Sequence, residues 1–355
     1  MQSEPILKEQ NPLRRVFLMD KEKTMRQRIF KILVIAFFIC WQLIDFAYAK
    51  PSLSVDLFGV SFPNNKEGWV CGRGGTVLHT TDGGLNWVRQ DTGTDYTLLS
   101  ISFIDAMKGW AVGDEGTIVH TEDGGKTWAK QKSPVPYYLM AVSFVTPQNG
   151  WIVTERTHIL HTNDGGKTWN VQFKGGDFIL KSISFSDPLS GWAVGEYGFI
   201  YHTNNGGATW KQQAGYYRIS EKDSEIEGGN FLFSVNAINA KTAWAVGIDG
   251  TVIKTVDGGV TWKEVATSQS KTHLFCVASD KKDTILIGGK GTFVVSTDGG
   301  RTWQAPKFEP PIPYDWIYGL ALRDSSDFLA VGSQGAIYHA DRNKIQSLWQ
   351  RVVYK

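Results

Sequence analysis

Three cysteines in 355 residues leave no disulfide framework to hold this chain together. Cys40 lies in an N-terminal apolar stretch, while Cys71 and Cys276 sit far apart in sequence and read as small buried hydrophobes. An excess of one charge is missing too. The formal net charge is +2, and beyond residue 49 the chain carries 29 Lys and Arg against 30 Asp and Glu, with no basic stripe. That balance argues against a nucleic-acid partner. Long helical patterns are scarce, and the continuous apolar run from Ile32 to Trp41 is about half the roughly 20 residues that a membrane-spanning helix needs.

That apolar run follows Met25, Arg26, Arg28 and Lys31 and precedes Ala47-Tyr48-Ala49. A positive region, an apolar region and a small-residue cleavage site in that order make an export leader. We therefore expect Met25 as the start, cleavage after Ala49, and residues 1–49 outside the folded domain; an uncleaved anchor is the alternative. Export places the protein in a periplasm or an equivalent lumen.

What the chain has in abundance is glycine, 38 residues, and tryptophan, 14 residues. Much of both falls in one repeated octet, TEDGGKTW at Thr121 to Trp128, with siblings ending at Trp87, Trp169, Trp210, Trp262 and Trp303 and a degenerate seventh ending at Trp349. The tryptophan-to-tryptophan intervals are 41, 41, 41, 52, 41 and 46 residues, so the chain is an array of small units. A second motif, GWAVG at Gly109, recurs as GWVCG, GWIVT, GWAVG, AWAVG, ILIGG and FLAVG and again counts seven. Each unit reads as four short strands separated by turn residues, for example around TLLSISF, GWAVG, GTIVHT and TWAKQ. One such sheet cannot bury both its faces, and seven arranged around an axis bury one another's. The expected fold is an all-β, seven-bladed propeller of four-stranded antiparallel blades, at 54–90, 95–131, 136–172, 177–213, 230–265, 271–305 and 314–353. Serines repeated in the first strands, such as Ser100 and Ser102, read as small residues filling the taper toward the axis.

The octet resembles the Asp-box, or BNR repeat, of sialidase-like propellers. Its carboxylates Asp82, Asp123, Asp164, Asp257 and Asp298, with Asn205 in the fourth repeat, suit acceptors of backbone N–H bonds across their own turns. Trp87, Trp128, Trp169, Trp210, Trp262 and Trp303 supply large rings beside those turns, and truncating one is expected to cost about 3–5 kcal/mol. A motif present on every blade is framework, since an active site is needed once. His79, His120, His161, His202 and His339 precede the turns on five different blades and cannot converge on a metal. The glycine-rich GRGGT and GGKGT segments lead into no helix that would hold a phosphate. No catalytic residue, metal or cofactor is therefore expected.

In an up-and-down blade the DGG turns lie at one end, and the hairpins between second and third strands lie at the other with the links between blades. That second face is where the repeats differ. It carries Arg73, Arg156, Tyr197 and Lys290, and it receives the eleven-residue insertion within Gly215 to Asn230, with Tyr216, Tyr217, Glu221 and Glu225. Aromatic and charged side chains of this kind are enriched in protein interfaces, so these eight residues are the candidate partner-binding face.

Seven repeats of the form SF…GWAVG…GTIxHTxDGGxTW behind an export signal resemble the photosystem II assembly and stability factor family of cyanobacteria and chloroplasts. The likeness runs from about Ser54 to Val353. It implies a non-enzymatic propeller on the lumenal or periplasmic side of a membrane that docks on protein subunits of an unfinished membrane or envelope complex. We expect a monomer, held at the membrane through that partner or an uncleaved leader. The likeness also implies an arginine-rich docking face; here Arg73 and Arg156 occupy the corresponding hairpins, beside several carboxylates. The alternative is a glycoside hydrolase or sialidase-like protein. That reading needs paired carboxylates, which the insertion between Glu221 and Glu227 would have to supply.

Overall fold

The five-residue second strands, Gly109–Gly113 and its equivalents, are buried along their whole length. An apolar run with no polar alternation requires a partner on each face, and the neighbouring blades supply both. The computed structural model describes residues 55–219, 226–267, 271–312, 314–323 and 327–352. Residues 1–49, where an export leader is expected, lie outside the described residues. Within them the chain is an all-β, seven-bladed propeller, and no described helix is long and apolar enough to cross a membrane.

Blades 1 to 5 are antiparallel meanders whose four strands follow one another in sequence order. Their first strands close into a ring about the axis together with those of blades 6 and 7, blade 7 meeting blade 1. Serines stitch that ring. Ser61 Oγ accepts the N–H of Phe103 at 2.9 Å, Ser102 Oγ that of Phe144 at 3.2 Å, and Ser184 Oγ that of Ala237 at 3.1 Å. The serines do fit the taper, and they also satisfy backbone donors of the next blade, a role that their small size alone did not suggest.

Two blades depart from the four-stranded plan. Blade 6 has three full strands, and its fourth is reduced to a single bridge between Gln304 and Val295. Pro306 has no N–H to extend that ladder. The chain instead crosses to the edge of blade 7, where Lys307–Glu309 pairs in parallel with Leu348–Arg351 and makes a five-stranded sheet. The insertion after blade 4 is likewise more than a loop. Tyr217–Ile219 and Ile226–Gly228 pair as a two-stranded hairpin, pinned by an ion pair between Arg218 and Glu227.

Between blades the core is a repeated aromatic stack. Trp69 lies flat on Phe103 of the next blade at 3.6 Å between ring centroids, as do Trp110 on Phe144 and Trp151 on Phe185. The octet tryptophan of that next blade meets the same phenylalanine edge-on, as Trp128 does Phe103 at 5.9 Å. Four of the five repeated histidines are placed by this stack as well. His79, His120, His161 and His202 each lie over the second-strand tryptophan of their own blade, and His339 bonds Asp327 at 3.1 Å. Cys71 and Cys276 are buried free thiols, and burial pushes Cys71 up to about 12.

Candidate functional site

The DGG turns form one face. In blade 2, Thr121 Oγ1 donates to Asp123 Oδ1 at 2.8 Å, and Asp123 then accepts the backbone N–H of Thr127 at 2.9 Å and its hydroxyl at 2.6 Å. Gly124 and Gly125 turn the chain at φ 73° and 83°, a region closed to most side chains. Asp82, Asp164, Asp257 and Asp298 occupy the same turn in their blades. Asn205 keeps the acceptor, at 3.0 Å from the Thr209 N–H, but its amide now donates to the Thr209 hydroxyl.

These turns are bound to the preceding blade by a residue that the sequence reading passed over. Gln131 Nε2 donates to Gly165 O at 3.0 Å while its Oε1 accepts the Trp169 indole N–H at 3.1 Å. Gln90, Gln172 and Gln213 do the same for Trp128, Trp210 and Trp262. The signal was available as Trp-x-x-Gln in four successive repeats. Where Val265 replaces the glutamine, the Trp303 Nε1 of the next blade is buried without a partner. Gln131→Ala is therefore expected to lower stability by about 1–3 kcal/mol, because it strands a buried indole donor. Urea unfolding would show it as a shift of the midpoint, and an unchanged midpoint would refute the bridging role.

The bonds from Thr127 hold the Asp123 carboxyl down at about 2, and those from Thr168 and Thr261 hold Asp164 and Asp257 at about 2 as well. Asp298 is also lowered, chiefly by the Thr302 hydroxyl. A carboxyl held below its unfolded value of 3.8 stabilises the fold above that value and loses the contribution as pH falls through the folded value. We expect the urea midpoint to drop steeply between about pH 4 and pH 2, and Asp164→Asn to flatten that drop.

The opposite face gathers the hairpins and the links between blades. Gly75 N–H bonds Tyr96 O and Gly116 N–H bonds Tyr137 O, each at 2.9 Å, so a hairpin of one blade rests on the link that leads to the next. The candidate residues are distributed around this face rather than joined in one cluster. Arg73 ion-pairs with Asp56 at 3.0 Å, and Asp56 also accepts the Gln334 N–H at 3.0 Å, so this arginine helps to close blade 1 against blade 7. Arg156 lies over the Tyr137 ring at 4.8 Å and Lys290 over Trp316 at 5.7 Å. Tyr197 sits at a hairpin tip with φ 55° and packs against Tyr217 at 5.3 Å. Tyr216 and Tyr217 are 60% and 50% exposed at the base of the inserted hairpin. Glu221 and Glu225 lie outside the described residues. Carboxylates concentrate on blades 2 to 4: burial raises Asp114, with Glu115 adding to it, and burial raises Glu155, with Asp177 and Glu115 adding.

A feature of the axis was missed altogether. The first strand of every blade carries a β-bulge at the same register, which leaves one residue out of the pairing. The bulged residues are Phe58, Leu99, Met140, Lys181, Phe233, Phe275 and Tyr318. Bulges re-aim a side chain, and here those of adjacent blades meet around the axis: Phe233 to Phe275 at 5.5 Å, Phe275 to Tyr318 at 5.7 Å, and Tyr318 to Phe58 at 5.2 Å.

Comparisons with known proteins follow the architecture. In structure the chain resembles a YCF48 bound to D1 peptide, with TM-score 0.65 and 20% identity over 81% of this chain and 92% of that one. It is similar also to YCF48 from Cyanidioschyzon merolae, with TM-score 0.64 and 20% identity over 81% and 96%. The GH74 xyloglucanase from Xanthomonas campestris gives TM-score 0.66 at 12% identity, covering 85% of this chain and 55% of that one. At such identities these likenesses speak for the propeller fold alone. No curated protein matches significantly. The sequence itself matches the family described as photosynthesis system II assembly factor YCF48 over residues 86–173, 130–214 and 220–354, which is well over half its length. On that match, carried by the repeats that build the blades, the chain belongs to the photosynthesis system II assembly factor YCF48 family.

Proposed function

We propose that this protein is an exported, non-enzymatic scaffold that binds subunits of a membrane protein complex during assembly or stabilisation, photosystem II where the host is photosynthetic. The observation that carries the reading is the family match from residue 86 to residue 354. A YCF48 of the same fold is known bound to a D1 peptide, which supports a peptide segment of a partner as the ligand. Docking is assigned to the hairpin face, with Arg73, Arg156, Tyr197, Lys290, Tyr216 and Tyr217 and the acidic insertion around Glu221 and Glu225. Charged side chains and exposed tyrosines together suit a protein partner. The DGG face is framework, since its carboxylates are occupied within their own turns. The leader delivers the protein across the membrane, and cleavage after Ala49 leaves a monomer that reaches the membrane through its partner.

The test is a pulldown from solubilised membranes of the source cell, with the wild-type protein compared with an Arg156→Glu, Tyr216→Ser, Tyr217→Ser variant. Enrichment of one membrane complex by the wild type and its loss in the variant are expected. Equal recovery by both would remove the hairpin face from the reading, and no recovery by either would remove the scaffold function.

A further inference from the structure

Six of the seven bulge positions around the axis hold apolar or aromatic side chains, and one holds a lysine. Phe233, Phe275, Tyr318 and Phe58 form a continuous arc over blades 5, 6, 7 and 1. Lys181, on blade 4, adjoins one end of that arc, and all five side chains are half-buried. None of the described residues gives the Lys181 ammonium a hydrogen bond or an ion pair; the carboxylates of Glu196 and Glu155 act on it through space. Burial draws its affinity for a proton down, so a direct anionic partner would relieve an existing desolvation. On the far side of the arc the Tyr318 hydroxyl is buried and has no hydrogen-bond partner. A ring of seven that is apolar except for one unpartnered cation differs from a bland solvated channel, where a lysine would be one polar residue among several.

We propose that this axial ring is a carboxylate-reading pocket: it takes an Asp or Glu side chain of a partner protein, with Lys181 receiving the carboxylate and the aromatic arc receiving a bulky apolar residue next to it. The inference rests on the scaffold reading and specifies the partner's chemistry. An ammonium is a compact point charge suited to one carboxylate. Glu115 and Asp177 both act on Glu155 on the hairpin face, and this acidic group opposes multiply charged phosphates or an anionic lipid surface. The aromatic arc supplies the apolar area that anchors an interface.

The experiment is calorimetric titration of the full chain with the capped peptide acetyl-Gly-Phe-Glu-Leu-Gly-amide, its Glu-to-Gln counterpart, and inorganic phosphate as competitor. Saturable one-to-one binding of the Glu peptide is expected, at least about tenfold weaker for the Gln peptide and for Lys181→Met, and undisturbed by phosphate. Methionine already occupies this bulge in blade 3 as Met140, so the variant should keep its fold, which near-ultraviolet circular dichroism checks. Equal affinity of the two peptides, unchanged binding by Lys181→Met, displacement by phosphate, or the absence of saturable binding would each overturn the proposal. The membrane pulldown separates the two readings. If the wild type recovers its complex while the peptide result is negative, the axial pocket falls and the scaffold stands; if the wild type recovers nothing, the scaffold reading itself fails.

Discussion

Trp110→Ala is expected to destabilise the propeller by about 3–5 kcal/mol, the range for deleting a buried aromatic side chain. Trp110 is 1% exposed and lies between His120, at 4.5 Å, and Phe144 of the next blade, at 3.6 Å. Its indole N–H also donates to Gly165 O at 3.2 Å, so one side chain joins the second strand of blade 2, the first strand of blade 3 and the DGG turn of blade 3. Truncation empties a space bounded by two blades, and a closed ring limits how far those blades can move together to fill it. Trp128, in the octet that dominates the sequence, is partly exposed and meets Phe103 only by its edge. Trp128→Ala should therefore cost less, which reverses the order that motif prominence suggests. Urea unfolding of both variants, followed by circular dichroism, decides the matter. A midpoint shift for Trp128→Ala equal to or larger than that for Trp110→Ala would show that the DGG turn, and not the aromatic stack, is the stronger tie between blades.

The fold was legible because the period is local. TEDGGKTW and GWAVG each recur within one repeat, and counting either yields seven. What joins the repeats was harder to see, since each joining residue acts on the next blade. Gln131 is 38 residues from the indole that it accepts, and Ser102 is 42 from the backbone N–H that it satisfies. Both nevertheless leave a trace, because they repeat at a fixed distance from the motif. The bulges leave none: LLSISF reads as an ordinary strand, and only the register reveals that Leu99 is excluded from pairing. Lys181 in LKSISF was the visible exception, a charge inside an apolar pattern. The candidate face was chosen by residue type alone. Arg73 counted as a docking cation, while its partner Asp56 stands 17 residues earlier with no motif to mark it.

The glycine that opens each GW motif carries the second large expectation. Gly150 lies across from Phe144 in its own blade, and a Cβ built on it would fall 2.3 Å from that ring. Space, and not backbone conformation, demands glycine here. Gly68, Gly109 and Gly191 face Phe62, Phe103 and Phe185 in the same way. Blade 5 supplies the natural control. There Ala237 stands opposite Ala243, so the chain has exchanged both members of the pair together. Gly150→Ala alone should overpack the site, displace Phe144 from its stack on Trp110 and cost about 1–3 kcal/mol. Phe144→Ala alone should cost about 3–5 kcal/mol, since it removes the ring from between Trp110 and Trp169. The double variant reproduces the blade 5 pair. In the background of Phe144→Ala the new methyl group has room, and loss of a glycine restricts the unfolded chain, so Gly150→Ala should change from destabilising to neutral or stabilising by up to about 1 kcal/mol. A double-mutant cycle on the unfolding midpoints should thus return a favourable coupling of about 1–4 kcal/mol. Additive costs would mean that glycine is required at Gly150 for a reason other than the aromatic ring lying over it.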